Sequence, residues 1–104
     1  MLYKNKFILG TAQFSSAYGI SNIKKKKIKK KEIFKILKYC NLQNIKFIDT
    51  SYNYAQSQKL IGQLNNKFEI CTKLSLTNRS QRKLGKFINT KLTFCLKDLN
   101  KNKL

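Results

Sequence analysis

The chain has 104 residues, the size of one small domain, and its 23 Lys+Arg against 4 Asp+Glu leave a formal net charge of +19. Hydrophobic residues at 41% are enough for a core, which argues against wholesale disorder, and 4 Gly with no Pro exclude collagen-like and proline-rich chains. No apolar run approaches the roughly 20 residues that span a bilayer, and Met1-Leu2-Tyr3-Lys4-Asn5-Lys6 lacks the features of a secretory signal. The chain is therefore expected in the cytoplasm and off the membrane.

The elements follow in chain order. Lys6-Phe7-Ile8-Leu9-Gly10-Thr11 predicts a first, buried strand (near 6–11) closed by a turn. A loop through Tyr18-Gly19-Ile20-Ser21-Asn22 and a lysine-dense run over 24–31 lead to Ile33, Ile36, Leu37 and Cys40, one face of a helix near 31–43. Ile45-Lys46-Phe47-Ile48 and Asp49 form the second strand (45–49). After a Tyr-rich loop, Ser57 is the expected N-cap of a helix near 57–65 with Leu60, Ile61 and Leu64 on its apolar face, stopping at Asn65-Asn66. Phe68-Glu69-Ile70-Cys71-Thr72-Lys73 is the third strand (68–73). A polar stretch over 77–82 precedes a last helix near 83–99, with the stripe Leu84, Phe87/Ile88, Leu92, Cys95/Leu96 and Leu99.

Three strands alternating with three helices predict an α/β fold with parallel strands joined by right-handed crossovers. An open three-stranded sheet leaves both edges unpaired. A closed eight-stranded barrel takes about 250 residues, so the expected architecture is the first three strand–helix units of an incomplete (β/α)8 barrel.

Composition narrows the chemistry. The chain has no histidine, which removes Ser/His/Asp and Cys/His catalysis and His-ligated zinc, so no metal is expected. Cys40, Cys71 and Cys95 form no CxxC pair and sit among apolar neighbours. They are read as free, buried, small hydrophobes in a reducing compartment. Arg79 and Arg82 are the only arginines among the 23 basic residues, whereas base-edge and bidentate phosphate recognition lean on arginine. Lys, Asn and Ile are also the residues of A/T-rich codons. Specific nucleic-acid binding is therefore not expected, although the 24–31 run would bind polyanions nonspecifically, the alternative reading of the chain.

Of the few acids, Asp49 closes an apolar strand, while Glu32 and Asp98 fall on helical positions read as exposed. Lys73 closes the neighbouring strand at the same end, and in parallel α/β folds the C-terminal ends of strands form the functional face. An Asp49–Lys73 ion pair follows, with Tyr54 over the same face. A lysine beside a tyrosine favours the phenolate and readies the phenol for proton transfer. A capping Asp, a solvated Lys and a packing Tyr remain the non-catalytic explanation of the same three residues.

The order and spacing of Leu9-Gly10-Thr11-Ala12-Gln13-Phe14, Tyr18-Gly19-Ile20, Phe47-Ile48-Asp49-Thr50-Ser51-Tyr52-Asn53-Tyr54, Ser57, Ile61-Gly62 and Ile70-Cys71-Thr72-Lys73 resemble the N-terminal part of the aldo/keto reductase family. The opening resembles a bacterial branch found among surface-carbohydrate genes. The resemblance implies a (β/α)8 barrel that reduces an aldehyde or ketone with NADPH or NADH as cofactor. It implies catalytic roles for Asp49, Tyr54 and Lys73, and cofactor contacts at Gly10, Thr11, Gln13 and Asp49. The family pattern is broken where Ala55 replaces Gly, Gln58 replaces Glu and Ser15-Ser16 replace a Gly. It also has a catalytic histidine on a fourth strand, for which this chain has no residue. The chain is thus expected to be an N-terminal fragment, inactive alone, or one half of a split barrel enzyme completed by a C-terminal half.

Overall fold

The computed structural model describes residues 6–20, 23, 26–54, 56–64, 67–76 and 83–104. Lys24, Ala55, Asn65-Asn66 and the 77–82 stretch with Arg79 and Arg82 lie outside these described residues. The elements run β1 (Ile8–Gly10), α1 (Lys30–Leu42), β2 (Phe47–Asp49), α2 (Ser57–Gly62), β3 (Glu69–Cys71) and α3 (Leu84–Leu99). The strands form one parallel sheet in the order β1-β2-β3, with Ile8, Phe47 and Glu69 in register, then Leu9, Ile48 and Ile70, then Gly10, Asp49 and Cys71. The fold is α/β, and among the described residues the sheet is open, with three strands.

Strand alternation sorts these rows onto two faces. The Leu9/Ile48/Ile70 row packs with the helices, where Ile33, Leu37, Cys40, Ile61, Phe68, Leu99 and Phe14 complete the core. Among the described residues no helix covers the other face. Ile8 is 63% exposed and Phe47 38%, so the expectation of a buried first strand is corrected: only one side of β1 is covered. The same alternation corrects the reading of Cys71, which lies on the bare face and is exposed, while Cys40 and Cys95 are buried. Burial pushes the Cys40 thiol pKa up.

Asparagines end the two long helices. Asn44 (φ 58°) and Asn100 (φ 52°) take the left-handed conformation. Beyond them the Ile45 N–H donates to the Cys40 carbonyl and the Lys101 N–H to the Leu96 carbonyl, each 2.9 Å, satisfying carbonyls the helix leaves open. Helix α2 lies close against α3 because Gly62 has no side chain: a Cβ there would collide with the Asp98 carbonyl. The α3 stripe is covered best in its C-terminal half. Cys95 and Leu99 are buried, while Leu84, Ile88 and Leu92 are 42%, 41% and 38% exposed. No helix among the described residues is long and apolar enough to cross a membrane.

Candidate active site

The parallel register places the ends of β1, β2 and β3 side by side, and the backbone then locks the loops that leave them. The Asp49 carbonyl accepts hydrogen bonds from the Thr11 N–H (3.1 Å) and the Thr11 hydroxyl (3.0 Å). The Lys73 carbonyl accepts from the Tyr52 N–H (3.0 Å) and the Ser51 hydroxyl (3.2 Å). Both strand ends are thereby fixed through the main chain, leaving the Asp49 and Lys73 side chains to point to the bare face.

There the Lys73 ammonium donates to both carboxylate oxygens of Asp49, each at 2.7 Å. The Asp49 hydrogen bond raises the Lys73 pKa above its ordinary value; partial desolvation opposes this, and the negative field of Asp49 adds to it. Lys73 is therefore a full cation at neutral pH. Its nitrogen lies 5.5 Å from the centroid of the Tyr54 ring. The three residues expected to share one face do so.

Tyr54 sits in a tight connection. Its N–H donates to the Ser51 carbonyl (3.0 Å), and its own carbonyl accepts from the Ser57 N–H (2.8 Å) and from the Ser15 hydroxyl at 2.6 Å. Ser57 is not the N-cap of α2. Gln56 holds that position without a side-chain cap, and the Ser57 hydroxyl instead donates to the Thr11 carbonyl at 3.0 Å, joining α2 to the β1–α1 loop. A hydroxyl with a tertiary acceptor in reach does not have to cap its own helix. Gln58, 2% exposed, accepts from the Thr72 hydroxyl at 2.6 Å and keeps a polar link between α2 and the end of β3.

A cavity of about 370 Å³ opens beside this group, lined by Gly10, Thr11, Gln13, Phe14, Asp49 and Tyr54 among others. All the residues assigned to cofactor contact therefore border one space, within the size range of small-molecule sites. Within it their parts differ. The Thr11 hydroxyl is engaged by the Asp49 backbone, and the Gln13 amide donates to the Tyr18 carbonyl at 2.8 Å. Gly19 next to it has φ +107°, and a Cβ would stand 2.9 Å from the Gln13 amide nitrogen, so the loop shape depends on that glycine. Nothing lies within 4 Å of where a Gly10 Cβ would be, which leaves open space against the Asp49 end of the sheet.

Sequence reasoning missed Ser15, Ser57 and Gln58 as positioning residues. Their partners are 39, 46 and 14 positions away, and a lone Ser or Gln carries no periodic signal of such a bond. Among the described residues no group of three or more His, Cys, Asp or Glu is placed to hold a metal ion.

The aldo/keto reductase family model matches residues 6–104, the whole span that carries the strands, the helices and the Asp49–Tyr54–Lys73 group. No curated protein and no solved structure shows a significant match to the chain. Family members are oxidoreductases that act on carbonyl compounds and share a TIM-barrel fold. With a family match spanning nearly its whole length, this chain belongs to the aldo/keto reductase family.

Proposed function

We propose that the chain contributes the proton-transfer group of a NAD(P)H-dependent enzyme that reduces an aldehyde or ketone to an alcohol, and that β1 to β3 are the first three strand–helix units of its (β/α)8 barrel. The observation that carries the reading is the position of the Lys73 ammonium, 2.7 Å from both Asp49 oxygens and 5.5 Å from the Tyr54 ring. Tyr54 donates its phenolic proton to the carbonyl oxygen as the alcohol forms. Lys73 stabilises the phenolate left behind, and Asp49 holds Lys73 in place and charged. When bound, the nicotinamide cofactor supplies the hydride. The cavity beside Gly10, Gln13 and Asp49 fits a ring-sized group of it, and Thr11 acts there by fixing the Asp49 backbone. Free thiols at Cys40, Cys71 and Cys95 fit a reducing cytoplasm.

The side chains of this group face water on the uncovered side of the sheet, so activity requires the further strands of a barrel to close over them. Co-expression with the later strand–helix units of a full-length family member tests this. The purified complex is expected to oxidise NADPH in the presence of aldehydes, and Tyr54→Phe to lower the rate at least about a hundredfold. A rate unchanged by Tyr54→Phe overturns the reading.

A further inference from the structure

Beyond the Asp49–Tyr54–Lys73 group, a second cleft of about 320 Å³ is lined by Tyr52, Asn53, Leu74, Ser75, Phe87 and Lys91. It joins the loop after β2, the segment after β3 and helix α3. Its hydrogen bonds are arranged in one sense. The Lys91 ammonium, half-buried, donates to the Tyr52 hydroxyl oxygen at 3.1 Å and lies 4.6 Å from the Tyr52 ring centroid and 5.8 Å from that of Phe87. Asn53 donates through its amide nitrogen to the Ser75 hydroxyl oxygen at 2.7 Å. Because each hydroxyl accepts, the Tyr52 and Ser75 protons, the second Asn53 amide proton and the other Lys91 protons are shown with no acceptor among the described residues.

The cleft thus collects donors and a positive charge with no carboxylate to balance them. Among the described residues Glu32 is bonded to Lys35 and Asp49 to Lys73, and neither Glu69 nor Asp98 lines the cleft. Two ring faces and a neutral hydroxyl hold Lys91 in position and do not neutralise it. Lys91 is fixed in the cleft with three further donor groups along its lining.

The geometry points to an oxoanion site here, for a carboxylate or phosphate group. Its location links it to the reaction. Tyr52 is two residues from Tyr54 and Ser75 two residues from Lys73, so the cleft and the Asp49–Tyr54–Lys73 group are carried by the same two loops. A substrate held at Tyr54 and carrying an oxoanion would therefore reach the cleft across these shared loops. This last step rests on the carbonyl-reductase reading; the oxoanion site itself does not.

The test is a heteronuclear NMR titration of the full 104-residue chain with inorganic phosphate and, separately, acetate, in chloride at physiological ionic strength and without cofactor. Saturable shifts at the Asn53 side-chain amide and at Ser75 are expected, and the tighter of the two anions identifies the preferred group. Lys91→Met is expected to weaken binding at least tenfold, while Lys91→Arg and the distant Lys35→Met keep it within about threefold. Shifts that survive Lys91→Met, or that spread over α1 without saturating at Asn53 and Ser75, overturn the site. A short aldehyde phosphate is expected to bind at least threefold tighter than phosphate and to lose that advantage in Tyr54→Phe. Equal affinities with Lys91 dependence intact uphold the oxoanion site and overturn its link to the carbonyl.

Discussion

The two faces of the β1–β3 sheet are built from alternating residues of the same three strands, and they do different work. Ile48 points to the helices and has no exposed surface; its neighbours Phe47 and Asp49 point the other way and remain accessible to solvent. The covered face holds the apolar cluster that stabilises the chain. The bare face holds the ion pair, the open space beside Gly10 and the exposed Cys71. Apolar packing and the charged group are thus separated by a single-residue alternation, and a one-residue change of register would exchange them.

The largest expected effect lies on the covered side. Ile48→Ala should lower the unfolding free energy by about 2–5 kcal/mol, and Ile8→Ala, whose side chain already faces water, by less than about 1 kcal/mol. Urea unfolding measures both. Equal losses would mean that the bare face is packed in solution, and the contrast between the faces would fail.

Two glycines sharpen the same contrast. Gly62→Ala drives a methyl into the Asp98 carbonyl between α2 and α3 and should destabilise by about 1–3 kcal/mol. Gly10→Ala meets nothing within 4 Å, and by restricting the unfolded chain it should stabilise by about 0.4–1 kcal/mol, while narrowing the cavity. Thermal unfolding of the pair should therefore move in opposite directions.

A smaller effect is expected at Thr50, which has no exposed surface and whose hydroxyl finds no hydrogen-bond partner among the described residues. Thr50→Val removes that unsatisfied group and should raise stability by about 1 kcal/mol, read as a higher denaturation midpoint.

The smallest effect is electrostatic. The Lys73 pKa is raised from its ordinary 10.5, so the folded state binds this proton more tightly than the unfolded state does. The contribution is complete below pH about 10.5 and is lost as pH rises through the higher folded value. The pair is about half exposed, so the loss should stay below about 1 kcal/mol. The fall in unfolding free energy between pH 9 and pH 12 should be smaller in Lys73→Met by this amount. An identical fall in both proteins would show that the Asp49 contact does not persist in solution.

Much of this arrangement can be read from local pattern. The i, i+3, i+4, i+7 spacing from Ile33 to Cys40 marks the buried side of α1, and Asp49 and Lys73 stand out as charges closing apolar strands. The motif from Phe47 to Tyr54 carries the family. These signals are legible because helix and strand periods act over a few residues, and because a charge at the end of an apolar run interrupts a short-range pattern. The same reasoning misjudged Cys71, because an apolar neighbourhood in sequence does not say which face of a strand is covered. It also misjudged Ser57, because a capping residue type does not reveal a competing acceptor 46 positions away.

By itself, then, the sequence determined the alternation of elements, the parallel α/β class and the identity of the charged residues at the strand ends. Tertiary structure decided which face of the sheet is bare, how Ser15 and Ser57 pin the loops around Tyr54, how closely α2 approaches α3 at Gly62, and that Lys91 meets Tyr52 in a cleft rich in donors. The physical reason is range. Periodicity and turn chemistry are set by neighbours within one or two turns, whereas burial and side-chain hydrogen bonds between loops depend on segments tens of residues apart that meet only once the sheet has formed.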